Sequence, residues 1–314
     1  GGALDGTFAI ASDQLRPLLS QAAGLEAEAA ADLTVRLGAD GSGGQEVAVS
    51  GALTQVALPD GGPSVARIAL DGAVANAFAA PEADLTVELL RAAAGPLDLE
   101  RLTVTARGTP GDLDVSAEGE GRGQGTLDQP ITLSLAGNLG EDGAARTITL
   151  SQLRLAVGAR TIALARTARL TLQGQEVAVQ DLALDVGDGR VTLDARRGAA
   201  QVELTLDADR IPLSYSQLAL AEPQLSGRLN ARAQLSGPLD GPTGALNLTL
   251  DQVASEGTDL PPLDARMDLR LDAARRLIAN GRITGLGDSP LQLTANLPVE
   301  LALAPGFAAG LRDD

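Results

Sequence analysis

The sequence of 314 residues lacks cysteine, histidine and tryptophan, and all 24 of its basic residues are arginine. Without cysteine and histidine there is no zinc site built on those ligands, no Ser-His-Asp triad and no cysteine nucleophile. Without lysine there is no P-loop. Only carboxylate chemistry is left for an active site. We therefore expect a protein that is not an enzyme, with no catalytic residue, no metal and no cofactor.

Basic charge and aromatic rings are also scarce. The formal net charge is −17 and aromatic residues make up 1% of the chain. Nucleic-acid binding needs clustered basic residues for phosphates and rings for base stacking, so we expect no nucleic-acid partner. The chain has no apolar run of about 18 residues and does not begin with a signal sequence. We expect it to be a segment of a longer protein, with any anchor outside it.

What the chain does have is an alternation of aliphatic and polar residues that runs almost from end to end. Clear examples are Leu33–Leu37, Leu102–Ala106, Ile148–Leu150 and Val202–Leu206. Successive side chains of a β-strand point to opposite faces, so this period predicts a sheet with one apolar and one polar face. A hydrophobic content of 44% is too high for a disordered chain.

The recurrent unit is a predicted strand of five to seven residues, a turn and another strand, which indicates a meander of hairpins. More than twenty such strands exceed one ordinary barrel, so we predict an all-β, elongated sheet folded lengthwise into a hydrophobic groove. We expect residues 1–314 to form a single such segment. The hexapeptide Gly44–Val49 recurs as Gly174–Val179, either as a true internal repeat or by coincidence.

Two stretches depart from this pattern. Residues 12–31 carry Leu15, Leu18 and Leu19 at helical spacing, with Ser12 as a possible cap, which predicts a short helix. Residues 212–220 predict a short helix or a turn after a strand that ends near Asp209.

Several motifs in the second half occur in a characteristic order. A short Pro-Leu segment is followed by a glycine-centred strand pair, a Leu-Ser-Gly turn, a proline and a Gly-x-Leu-x-Leu strand. They lie at Ile211–Leu213, Pro223–Leu229 and Leu235–Leu248, and Leu263–Leu271, Gly281–Gly285 and Leu291–Val299 continue in the same style. In this order the motifs resemble the TamB family, the inner-membrane subunit of the translocation and assembly module, and its AsmA-like relatives. The resemblance is clearest over residues 165–303.

The resemblance implies a β-groove in the periplasm of a two-membrane bacterium, anchored in the inner membrane by a part outside this segment. It implies conduction of phospholipid, or another acyl-chain lipid, between the inner and outer membranes in support of outer-membrane biogenesis. An outer-membrane barrel protein of the assembly type is the implied protein partner. The alternative is a β-scaffold or chaperone that assists outer-membrane protein assembly by strand pairing.

The candidate groove-lining residues are the aliphatic members of the alternating runs in the middle of the chain. They are Leu150, Leu153, Leu155, Val157, Leu164, Leu170, Leu172, Val177, Val179, Leu182, Leu184, Val186, Val191, Leu193, Val202, Leu204 and Leu206. Two outcomes are open for this set. Its members pack against one another and close a core, or they line an open groove.

Three weaker motifs are interpreted as structural. Gly119–Gly125 resembles a phosphate cradle, but without lysine or a following helix we interpret it as a flexible loop. We assign Asp181, Asp185, Asp188 and Asp194 to a solvated polar face rather than a calcium site. Asp112 and Asp114 could form the carboxylate pair of a glycosidase, but the chain has almost none of the aromatic residues that line a sugar site, so we do not assign them this role.

Overall fold

The fold is all-β, as predicted, with 79% of the chain in strands. The computed structural model describes residues 3–14, 28–41, 43–58, 62–94, 97–123, 128–218, 225–255, 261–303 and 308–311. The strands are antiparallel and follow one another as a meander, because tight turns join each strand to the next. The chain divides into two units, residues 1–143 with 148–159 and residues 144–147 with 160–314.

In the first unit, nine strands pair in chain order. They are β1 (Gly6–Ser12), β2 (Glu28–Ala39), β3 (Gln45–Ala57), β4 (Ser64–Ala75), β5 (Glu82–Ala94), β6 (Leu97–Thr109), β7 (Asp112–Gly123), β8 (Pro130–Asp142) and β9 (Ala145–Val157). Most of β9 belongs to this unit.

The second unit continues the same pattern. Its strands are β10 (Arg160–Arg166), β11 (Ala168–Gln173), β12 (Glu176–Val186), β13 (Gly189–Arg197), β14 (Gln201–Pro212), β15 (Leu225–Pro238), β16 (Thr243–Ser255), β17 (Leu263–Leu271), β18 (Arg276–Thr284), β19 (Leu291–Ala302) and β20 (Ala308–Leu311). Both β10 and β11 pair with β12. From β12 to β20 each strand pairs with the next one.

The strands are longer than the five to seven residues that the alternation predicts; β3, β5 and β16, for example, have 13 residues each. The predicted lengths were wrong, and in β12 the reason is a β-bulge that joins two runs that look separate in the sequence. Val177–Val179 and Leu182–Val186 are two parts of β12, joined across a shift of register. A bulge adds one residue to a strand without ending its pairing.

The predicted helix over residues 12–31 is wrong at both ends that the structure describes. Ser12 ends β1, and residues 28–31 belong to β2, whereas Leu15, Leu18 and Leu19 lie outside the described residues. The second departure from the strand pattern is confirmed, because a 3₁₀ helix, Leu213–Leu218, follows β14.

The glycine-rich stretch is also not a loop over the part that the structure describes. Gly119–Gly123 belongs to β7, and its glycines alternate with Glu120 and Arg122. At Gly121 a Cβ would clash with the carbonyl oxygen of Asp98. Glycine stands there because the neighbouring backbone leaves no room for a side chain.

Little of the apolar surface is sealed. The buried hydrophobic side chains of the described residues are mostly alanines, and only Ile131 and Val157 combine a large side chain with about 2% exposure. The apolar faces are therefore only partly covered.

Candidate functional site: the apolar face of the second unit

Residues opposite each other on antiparallel strands point to the same face, so the pairing registers show which side chains lie together. Leu184 faces Leu164 on one side and Val191 on the other. Of the predicted groove-lining residues, the following share this face: Leu164, Leu170, Leu172, Val177, Val179, Leu182, Leu184, Val186, Val191, Leu193, Val202, Leu204 and Leu206. We call this side of β10–β19 the apolar face of the second unit.

The face extends beyond the predicted set. One row crosses the strands through Ala208, Ala231, Leu248, Met267, Gly281 and Leu293, and its neighbour crosses through Leu206, Ala233, Leu246, Leu269, Ala279 and Ala295. The alternation that identified the first members was present in these strands too. The prediction stopped at Leu206 although the same period continues to β19.

Most of these side chains are neither sealed nor fully open. Val186 and Val202 are buried, whereas Leu172 and Val177 are exposed at 37% and 36%. On β19 exposure is higher, at 47% for Leu291 and 45% for Leu293. Neither simple outcome expected from the sequence describes the face, because a closed core would leave its large aliphatic residues below about a tenth exposed.

The four candidates on β9 belong to the first unit. Val157 is buried, and Leu150, Leu153 and Leu155 are half-buried, while Ser151, Gln152 and Arg154 between them are exposed. Two exposed residues in succession interrupt the alternation, which then resumes with the leucines again on the less exposed side.

At one rim of the second unit, the single tyrosine of the chain joins separate strands. Tyr215, on the 3₁₀ helix, accepts a hydrogen bond from the amide of Thr161 at 2.9 Å and donates one to its carbonyl at 3.2 Å. Its hydroxyl also lies close to Gly187 in the β12–β13 turn. Tyr215 thus connects the end of β14 to the start of β10.

At the opposite rim, the end of β19 runs along the turns between the strands. The amide of Val299 donates to the carbonyl of Arg275 at 2.9 Å, and that of Leu303 donates to the carbonyl of Leu239 at 2.7 Å. Arg197 also donates to the carbonyl of Leu303, at 3.4 Å. Residues 299–303 therefore reach from the β17–β18 turn to the end of β13, so this rim of the apolar face has a polypeptide border.

The polar face of the same strands carries charged side chains in separate pairs. Asp185 pairs with Arg190 at 2.7 Å and Asp188 with Arg228 at 2.7 Å. Asp181 pairs with Arg166, and the carboxylate of Asp194 accepts a backbone amide. Because each carboxylate has its own partner, the four do not converge on one point.

Open depressions also lie on the polar faces. One of about 490 Å³ is lined by residues that include Thr249, Asp264, Arg266 and Arg282. In the first unit, Asn138 donates to Asp112 at 2.6 Å and to Asp114 at 3.0 Å, so a neutral amide holds this carboxylate pair. The amide occupies the space between the two carboxylates in which a glycosidase would need its substrate.

The first unit has an apolar face of the same kind, with smaller residues. Phe8 faces Val35, which faces Val49 on β3. On β7 the face continues through Val115, Ala117, Gly119, Gly121 and Gly123. Side chains shrink along this strand, and the fully buried Ile131 of β8 lies opposite Gly121.

No helix among the described residues has the length and apolar character needed to cross a membrane. Comparison of the chain with models of known protein families, with curated proteins and with solved structures gives no match.

Proposed function

We propose that the apolar face of the second unit binds the acyl chains of phospholipids or similar lipids, and that the protein conducts them between the membranes of a bacterial envelope as a TamB-like protein. One observation carries this proposal. Aliphatic side chains form continuous rows in register across β10–β19, yet most of them stay half-buried.

Contact between an acyl chain and the apolar face removes apolar surface of both from water. Burying a methylene group contributes about 0.8 kcal/mol, so a 16-carbon tail exposed to water would cost on the order of 12 kcal/mol. A row of half-exposed aliphatic side chains removes much of that cost, and the lipid in turn covers side chains such as Leu204 and Leu293. Both partners gain from contact, without any catalytic group.

The composition of the face suits movement better than storage. Its lining is leucine, valine, isoleucine, alanine and Met267, with Gly244 and Gly281 adding space between larger side chains. Arg197 lies on this face at the end of its strand, opposite Val202. The rows themselves have no array of charged groups that would hold one head group, so a lipid can slide along them.

Native mass spectrometry of the protein purified with its lipids tests the proposal. Leu204→Glu places a carboxylate in the middle of the rows, whereas Thr205→Glu places one on the exposed polar side of the same strand. We expect phospholipid adducts on the unaltered protein and on the Thr205 variant, and their loss from the Leu204 variant. Equal adducts on both variants, each folded by circular dichroism, would refute the proposal.

A second function, assembly of outer-membrane proteins by strand pairing, is favoured by one feature of the first unit. In the described pairings β1 has β2 as its partner on one side, and Phe8 and Ile10 on it are exposed at 58% and 46%. An exposed apolar edge strand is a template for another strand. Thr7→Pro and Ala9→Pro should then impair substrate assembly in cells, while Leu204→Glu should leave it intact.

A further inference from the structure

A four-residue motif recurs on three strands of the second unit. Leu-Asx-Ala-Arg occurs as Leu193–Arg196 on β13, Leu229–Arg232 on β15 and Leu263–Arg266 on β17, where Asx is aspartate or asparagine. Each of these strands pairs with the strand that precedes it, namely β12, β14 or β16. The three Asx residues are Asp194, Asn230 and Asp264.

Opposite each Asx the partner strand contains one extra residue. From Val179 to Leu182, β12 advances three residues while β13 advances two. The same count applies from Ala208 to Ile211 on β14 and from Leu250 to Val253 on β16. Asp194, Asn230 and Asp264 are the single residues that face these bulges.

The backbone at each bulge has an unusual conformation. Asp181, Arg210 and Gln252 have φ angles of 59°, 51° and 52°, in the left-handed region that residues other than glycine seldom adopt. Such a conformation costs about 1 kcal/mol or more and turns the amide out of the regular ladder. A bulge of this kind persists only when something else stabilises it.

The facing Asx supplies that stabilisation in the same way three times. The amide of Asp181 donates to Oδ1 of Asp194 at 2.8 Å. The amide of Arg210 donates to Oδ1 of Asn230, and that of Gln252 to Oδ1 of Asp264, both also at 2.8 Å. One geometry, repeated with one motif, indicates a device rather than a coincidence.

The bulges decide which side chains reach the apolar face. The turn at Gly187 and Asp188 fixes the register of the second half of β12, with Val186 opposite Gly189. If β12 kept all its residues and paired regularly from this turn, with none of them bulged out, Val179 would lie opposite Arg196 on the polar face and Gln180 would lie on the apolar face. The bulge keeps Val177 and Val179 on the same side as Leu182.

We propose that Asp194, Asn230 and Asp264 are positioning residues, and that each holds a bulge that keeps both halves of its partner strand in phase with the apolar face. The motif Leu-Asx-Ala-Arg, paired with a strand that has two polar residues between aliphatic ones, is the sequence signature of this device. The inference does not rest on the proposed lipid function, because it concerns which side chains form the face and not what occupies it.

Amide hydrogen exchange tests the hydrogen bond itself. Asp194→Ala removes the acceptor, and Asp194→Asn keeps a carbonyl oxygen in the same place, as Asn230 does naturally. We expect the amide of Asp181 to exchange about tenfold faster in the alanine variant and within about twofold of the parent in the asparagine variant. Similar exchange in both variants would overturn the proposal.

Cysteine labelling tests the phase of the strand, and the chain has no cysteine of its own to interfere. In the parent, Gln180→Cys is exposed and Val179→Cys half-buried, so the first should react faster with a maleimide. Deletion of Asp181 removes the extra residue, so regular pairing keeps Gln180 on the polar face and Val179 on the apolar face, and the order should stay the same. A reversed order in the folded deletion variant, which is the result expected of a strand that had no bulge before the deletion, would overturn the proposal. If the deletion variant does not fold, the exchange comparison of Asp194→Ala with Asp194→Asn still decides.

Discussion

Both units contain bulged strands, but the residue that faces the bulge of β3 in the first unit is apolar, whereas the residues that face the bulges of β12, β14 and β16 in the second unit are polar. In the first unit β3 has a bulge at Gln55, whose φ is 55°, and the residue that faces it is Ala29 of β2. Ala29 is buried and packs with Ala31, Leu33, Leu53 and Val56. In the second unit the facing residue is an Asx on the polar face, and it caps the bulge by a hydrogen bond.

This difference shows that a left-handed residue in a strand can be held either by apolar packing or by one side-chain acceptor. Among the described residues, the amide of Gln55 has no side-chain acceptor, and the residue that faces it is the small, buried Ala29. Polar capping leaves the apolar face free, whereas packing uses part of that face as a core. The comparison fits a second unit whose face is available for a ligand.

The largest effect on stability is expected when the alanine that faces the bulge in the first unit is replaced by an aspartate. Ala29→Asp puts a carboxylate among Ala31, Leu33, Leu53 and Val56, none of which carries a charge, and should lower the free energy of unfolding of this unit by about 3 kcal/mol. Ala9→Asp, on an exposed position of β1, is the matched control and should change it by less than about 0.5 kcal/mol. Urea unfolding measures both, and equal losses would mean that the cluster is not a core.

The glycines of the first unit give the next effect. Gly121→Ala brings a Cβ against the backbone of Asp98 and Leu99 and should cost about 2 kcal/mol. Gly38→Ala in β2 meets no atom within 4 Å and should be neutral or stabilising by up to about 1 kcal/mol. Thermal unfolding of the two variants separates them. A neutral Gly121 variant would show that β7 can move away from β6.

In the second unit, exchanging aspartate and asparagine within the Leu-Asx-Ala-Arg motif should have a smaller effect on stability. Asn230→Asp keeps the acceptor for Arg210 but replaces the donor to Asp251, at 3.0 Å, with a second carboxylate. We expect a loss of about 1 kcal/mol in unfolding free energy from this like-charge contact. Asp264→Asn, where the acceptor is also kept, is the control. The difference between the two variants should shrink in high salt.

The smallest effect is expected from the surface ion pairs. Arg232 and Asp207 lie 2.7 Å apart, with 78% and 38% of their side chains exposed. Solvent screens such pairs, so Arg232→Gln should change the stability by less than about 0.5 kcal/mol. A loss above about 1 kcal/mol in urea unfolding would mean that charge on the polar face, rather than the apolar rows, holds the second unit.

The sequence allowed prediction of the faces but not of the irregularities. Alternation placed Leu184 and Leu204 on one side because the period of two is set by the strand itself. It could not show that Val179 and Leu182 share a strand, since the extra residue is held by the hydrogen bond that the amide of Asp181 donates to Asp194 on the neighbouring strand. Gly121 was interpreted as part of a loop because glycine favours turns locally, whereas its role depends on the close approach of Asp98.

Site-specific photo-crosslinking can show whether the apolar face of the second unit holds acyl chains. Crosslinking amino acids are placed singly at Leu184 and Leu204 on the apolar face, and at Glu203 and Thr205 on the exposed polar side of β14. Lipid extracts and adducts are then identified by mass spectrometry. We expect phospholipid to be crosslinked at Leu184 and Leu204 and to be absent at Glu203 and Thr205. Folded protein without lipid at any of the four positions, or with equal lipid at all of them, would contradict the proposed lipid function.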